Sequence, residues 1–411
     1  MLKDSNIIRK TYVLSIIAAI IAAFTSFFSN EVNALLFFFV IVMDTLVYKK
    51  ALNSRPLMLL LLFYAVSFFY VFGLGKGHFN EMRNILLSYS TMLMCFWIAP
   101  GLVKLKKEEL KFIWIVFLLC LVENLVATAI IGEIDPMAMR AIFSNDEGQA
   151  ESVLAQTYSR FGFLSYQSAH ILSLLSALLF AMFFEFKGFW KKILLVAISV
   201  LIIYVLYSMT VTTALLTGMA CIMAVTIFYL NKGDRKKTVV WIVVMTGLLL
   251  LTGGITDLLL SGSQGTNYEI SEKLGDVAGT LESGTAQGQV AGRGDEYSKT
   301  FDAIWRNPFF GGARGPEDTG QHTLVFDLWA YYGFFSLLLF VGWISEIKRM
   351  KYILCRKHWY AYLICLLPIT VMCFFKGHVF LPNYILATIV LLRIGFLVIN
   401  NEASDLRVRS I

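Results

Sequence analysis

Charge is what this chain has least of. Only 15% of its 411 residues are Asp, Glu, Lys or Arg, against 58% hydrophobic, and the mean hydropathy is +0.70. A soluble domain of this length carries far more charge, so the composition excludes a soluble globular fold and points to a polytopic α-helical membrane protein. Cysteine is sparse too. The six residues (Cys95, Cys120, Cys221, Cys355, Cys365 and Cys373) form no CxxC pair and fall in apolar segments or basic loops, which removes a disulfide framework and a zinc site. No small-residue cleavage site follows the first apolar stretch, so that stretch reads as a retained helix and not a removed signal peptide. No long-period repeat is present.

What the chain does have is one apolar run after another. A bilayer core of roughly 30 Å takes about 20 mostly apolar residues per crossing. Segments 12–29, 33–48, 57–74, 84–100, 112–131, 162–186, 193–208, 211–230, 238–256, 323–345, 359–375 and 383–399 meet that demand. The expected fold is therefore all-α, with about twelve transmembrane helices in one membrane domain. Of the 35 Lys and Arg residues, 24 fall in the termini and alternate loops on one side, 10 on the other, and Arg393 lies inside the last span. By the positive-inside rule both termini are cytoplasmic. The net charge of +7 then reports orientation, and no nucleic-acid partner is expected.

The polar sequence is concentrated in two long outer loops, 132–161 and 256–321, and long loops in a compact protein tend to be functional. Residues 261–292 are rich in Gly, Ser, Thr and Gln and read as flexible, with one short helix around 269–281. After them Tyr297, Phe301, Ile304 and Trp305 recur at i, i+4, i+7 and i+8, which predicts a helix with one apolar face. Asp295 is its expected N-cap and Asn307-Pro308 its stop. Such a helix suits the outer interface, with Trp305 at headgroup depth. The glycines at 311, 312 and 315 permit close backbone approach around Arg314.

The ordered elements Gly292-Arg293, then Ile304-Trp305-Arg306-Asn307-Pro308-Phe309-Phe310-Gly311-Gly312, then His322 followed after ten residues by Gly333 resemble the O-antigen polymerase and ligase superfamily, of Wzy and WaaL type. The likeness covers residues 292–333; outside them it rests on hydropathy and loop placement. Thr323 stands where the family usually has Asn, Ser or Gln. Met209-Thr210-Val211-Thr212-Thr213 lacks the Arg of the family's T-x-S-R turn. The resemblance implies a Wzy-type polymerase of the bacterial inner membrane that makes O-antigen, capsular or exopolysaccharide. Its implied reaction moves a glycan from an undecaprenyl-diphosphate donor to the sugar hydroxyl of another lipid-linked repeat unit, with inversion, without a metal and without a cofactor. A chain-length regulator and a flippase are the implied protein partners, beside the bilayer itself.

That chemistry makes two demands. The departing diphosphate is held best by planar guanidinium groups. The acceptor hydroxyl needs a base near neutrality, which suits an imidazole. His322 is the expected general base, opening the helix after it, where the positive helix end favours a neutral ring. Arg293 is the expected diphosphate ligand, with Arg314 and Arg160 as candidates for a second cation in place of the missing family Arg. Plainer readings stand beside these: Arg293 paired with Asp295 or Glu296, His322 as a polar helix start, Arg160 as a headgroup anchor, and Arg306 answering its helix C-terminus. His170 reads as a core residue, and Arg393 as the ion-pair partner of Asp327 or Glu123. The same spans also suit an O-antigen ligase or a lipid-linked oligosaccharide flippase or transporter, and Glu133 with Asp135 would suit a metal-dependent transferase.

Overall fold

In lipid the backbone must satisfy its own polar groups, and an apolar chain with this loop spacing can do so only by coiling into helices. The computed structural model describes residues 2–24, 30–48, 54–70, 79–134, 166–208, 212–251, 275–280, 283, 285, 288–313, 318–320, 322–375 and 381–409. Among them every regular element is helical. In chain order these are α1 (Leu2–Phe24), α2 (Asn30–Tyr48), α3 (Arg55–Phe68), α4 (Phe79–Leu102), α5 (Lys107–Ile134), α6 (Tyr166–Glu185), α7 (Phe189–Ser208) and α8 (Thr212–Leu230). There follow α9 (Arg235–Leu251), α10 (Gly288–Arg306), α11 (Leu324–Tyr332), α12 (Ser336–Arg349), α13 (Arg356–Phe375), α14 (Leu381–Ile385) and α15 (Leu392–Arg409).

Among the described residues eight stretches are long and apolar enough to cross a bilayer, and three further helices are apolar but shorter. The bundle keeps hydrophobic side chains on its outside as well as inside: Leu35, Phe39, Leu119, Val200 and Val243 are all exposed. Such a surface is stable only against lipid. Burial ranks the helices from rim to centre. The stretch Glu31–Tyr48 is 22% buried, whereas Leu381–Asn401 is 89% buried and forms the axis of the bundle.

That axis is not a plain α-helix. Between α14 and α15 the residues Leu386–Leu391 form a wider π turn, which releases backbone groups that must find partners. The carbonyl of Thr388 accepts the Tyr362 hydroxyl at 3.1 Å, and the Thr388 hydroxyl accepts the Trp343 indole N–H at 2.8 Å. Just beyond, Arg393 is 1% exposed; it donates to the Ala99 carbonyl at 2.7 Å and to the Glu346 carbonyl and carboxylate at 2.8 and 3.1 Å. The sequence suggested Asp327 or Glu123 as its partner. The structure assigns Glu346 instead, because Asp327 sits at the opposite end of the α11–α12 span and is engaged there.

The two ends of the bundle differ. At one, ion pairs join Arg9 to Glu109 at 2.6 Å and Lys357 to Glu185 at 2.7 Å. Nearby, Asp44 is fully buried and accepts the Tyr12 hydroxyl at 2.6 Å. At the other end α3 finishes beside α11, with the rings of Tyr70 and Tyr332 5.8 Å apart. There α10 meets α13, its Tyr297 hydroxyl donating to the Phe374 carbonyl at 3.0 Å. His170, as expected, is a core residue, with its ring 6.3 Å from that of Tyr384.

Candidate functional site

The site is assembled around α10. The sequence placed the start of this helix at Asp295, but it begins at Gly288 and carries Gly292, Arg293 and Gly294 within it. Asp295 is therefore not an N-cap, and the downstream end of the stretch expected to be flexible, from Gly288, is helical. The inward face keeps Tyr297 and Ile304 of the expected stripe but is turned from Phe301 and Trp305 toward Thr300 and Ala303. Thr300, Ala303 and Ile304 are buried, whereas Trp305 is 78% exposed. Extending that face by one and two turns toward the N-terminus brings Tyr297 and Glu296, then Arg293, onto the same side.

Asn307-Pro308 does end the helix, and the turn that follows is locked by Asn307. Its side-chain oxygen accepts the Phe310 N–H at 3.2 Å and its carbonyl accepts the Gly311 N–H at 2.9 Å, a common local use of Asn. The loop then runs along α11. The Ala313 N–H donates to the Ala330 carbonyl at 3.0 Å, the Phe334 N–H donates to the Phe309 carbonyl at 3.1 Å, and the Trp329 indole donates to the Pro308 carbonyl at 2.9 Å.

Two glycines make this contact possible. Gly311 has φ +81° and Gly333 φ +55°, a region that side-chain-bearing residues avoid. A Cβ on Gly311 would stand 2.1 Å from the Tyr331 carbonyl oxygen, and one on Gly333 2.2 Å from that of Phe309. The sequence marked Gly333 as part of the motif after His322. In the structure it admits the 307–313 loop, and at the same point it breaks the expected continuous span into α11 and α12.

Asp327 ties the segment before α11 to α10. It is fully buried and accepts the Thr300 hydroxyl at 3.2 Å, the Thr323 N–H at 3.2 Å and the Thr323 hydroxyl at 3.4 Å. Thr300 in turn accepts the Gly320 N–H at 2.9 Å. Arg306 donates to Asp318 at 3.0 Å, closing the loop from its other side; a partner, and not the helix end alone, explains that residue.

His322 stands at the edge of this frame. Thr323 is the N-cap of α11, so His322 precedes the helix by one further residue. Its Nε2 lies 2.6 Å from Oε2 of Glu296, with the two side chains 39% and 35% exposed. The sequence anticipated a positive helix end around this ring; the geometry adds a carboxylate. Glu296 is thereby taken up by His322, and no ion pair among the described residues involves Arg293, which is half-buried on the same face one turn away. Burial, opposed by the Arg293 charge, pushes the Tyr297 phenol above its ordinary range.

The remaining sequence candidates divide simply. Arg160 and Arg314 lie outside the described residues, as do Asp135 and residues 209–211 of the turn that lacks the family Arg. Glu133 accepts a hydrogen bond from the Tyr204 hydroxyl. Among the described residues no group of three His, Cys, Asp or Glu side chains could hold a metal ion. Sequence reasoning missed the roles of Glu296 and Thr300. Both sit at helical spacing from Arg293, but their size and polarity hid them from a search for large apolar residues.

An aromatic rim lies at the C-terminal ends of α10 and α11, away from the His322–Glu296 pair. Trp305, Phe309, Phe310 and Phe334 are exposed, and the rings of Phe309 and Phe334 are 5.3 Å apart. Beside it an apolar cavity of about 520 Å³ is lined by Ala65, Val66, Phe69, Tyr70, Phe310 and Phe335. No protein-family model, curated protein or solved structure matches the chain.

Proposed function

We propose that this chain is a polyprenyl-diphosphate-dependent glycosyltransferase of the bacterial inner membrane. It crosses the bilayer about twelve times, with both termini cytoplasmic and the loops 132–161 and 256–321 outside. Its reaction is Wzy-type polymerisation, in which a growing glycan leaves its undecaprenyl-diphosphate carrier for a hydroxyl of the next lipid-linked repeat unit. The observation that carries this reading is the face of α10. It holds a guanidinium with no ion-pair partner among the described residues, Arg293, one turn from a carboxylate paired with an imidazole, Glu296 with His322.

Arg293 supplies the cation that a departing diphosphate needs, and Arg314 or Arg160 supplies a second. His322 supplies the base for the acceptor hydroxyl. The aromatic rim suits the headgroup layer, and the apolar cavity beside Phe310 gives the carrier's isoprenoid chain a place to lie. The test is direct. Purified protein in lipid nanodiscs, given its lipid-linked repeat unit, should produce a ladder of lengthening products; a single unextended band would sink the proposal.

A further inference from the structure

Two separately anchored pieces of backbone set the distance between Glu296 and His322. Glu296 rides on α10, which is tied to α13 through Tyr297 and the Phe374 carbonyl. His322 belongs to the segment pinned by Gly320 on Thr300 and by Thr323 on Asp327. Neither residue needs the other to hold its main chain in place, yet the imidazole and carboxylate meet at 2.6 Å with roughly a third of each side chain open to solvent. A purely structural ion pair gains little at such exposure. The geometry is better suited to directing a ring than to holding a fold.

We infer that Glu296 is a positioning residue that fixes the tautomer and orientation of His322 for glycosyl transfer; for the reaction itself this rests on the function proposed above. An imidazole that donates its Nε2–H to a carboxylate carries its lone pair on Nδ1. Nδ1 takes the proton of the acceptor hydroxyl while that oxygen forms its bond to the anomeric carbon. The bond from the anomeric carbon to the diphosphate oxygen breaks, and its electron pair leaves with the diphosphate beside Arg293. The imidazolium formed in this step is stabilised by the Glu296 carboxylate, which stays ionised, the same division of labour as between the acid and the histidine of a hydrolase triad.

The test uses the full-length protein in nanodiscs with 15N-labelled histidine, the His322 signals being identified by their loss in His322→Ala. In the wild type the neutral ring should be the Nε2–H tautomer. In Glu296→Gln, whose amide can accept or donate, both tautomers should appear, and Glu296→Asp should fall between; a ring that ignores both substitutions overturns the inference. In the transfer assay Glu296→Gln should lose about 100-fold in kcat with the KM for donor lipid unchanged. Combined with His322→Ala it should be no slower than His322→Ala alone, because each removes the same function. Multiplying losses overturn the inference, since Glu296 would then act apart from His322. A wild type that makes no ladder but shows the tautomer response overturns glycosyl transfer and upholds the pairing. A ladder with an unresponsive tautomer does the reverse.

Discussion

Arg293 and His322 are tested by what each substitution leaves intact. Arg293→Ala should be nearly inactive in the ladder assay, and Arg293→Lys should be impaired, because lysine keeps the charge but loses the two-pronged donor geometry. Normal polymerisation by a folded Arg293→Ala protein would move the diphosphate role to Arg314 or Arg160. His322→Ala should lose about 100- to 10,000-fold in turnover while donor lipid still binds. If donor binding vanishes as well, His322 is a phosphate ligand and not a base. Gly333 answers to a different physics. Its φ of +55° and the Phe309 carbonyl at 2.2 Å from any Cβ make Gly333→Ala destabilising by about 1–3 kcal/mol from backbone strain alone, visible as a lower melting temperature whether or not substrate is present.

Among elements, α10 and α11 behave as one unit because Asp327 collects donors from both. Asp327→Ala leaves the Thr323 N–H and the Thr300 hydroxyl buried without that acceptor, at about 1–3 kcal/mol for each group. Asp327→Asn keeps an oxygen in place and should be milder; hydrogen exchange across 318–327 would separate the two. The all-α, membrane-spanning character was legible in the sequence, because lipid tolerates only a helix there and hydropathy reports it directly; eight of the expected stretches are long and apolar enough to cross among the described residues. The register of α10 was not legible. Its inward face is built from Thr300 and Ala303, small residues chosen for close approach, while Trp305 faces out. A pattern search weighted toward large side chains therefore kept Tyr297 and Ile304 but rotated the stripe toward Phe301 and Trp305, and it began the helix at the acidic residue most like a cap. The partner of Arg393 was misread for a related reason: spacing along the chain does not say which end of a neighbouring span a charge occupies.

For the whole molecule, orientation is the first thing to test. With the basic residues concentrated on one side, a cysteine introduced at Ser283 should react with an impermeant maleimide in intact cells; labelling only after permeabilisation would invert the topology. The buried Arg393–Glu346 pair should govern stability far from the site. Glu346→Ala leaves a guanidinium uncompensated in the bundle and should cost about 3–5 kcal/mol, read as lost yield and a lower melting temperature with the His322 tautomer unaltered. The break at Gly333 also bears on how the protein is made. A bare amide costs several kcal/mol in hydrocarbon, and the break frees that of Phe334, whose partner is the Phe309 carbonyl. That carbonyl is synthesised earlier and, in the proposed topology, crosses the membrane ahead of the span it serves. On that topology, when α11 and α12 leave the insertion machinery the group that will satisfy their interruption is already waiting on the far side, and the order of the chain becomes part of how an interrupted helix enters lipid.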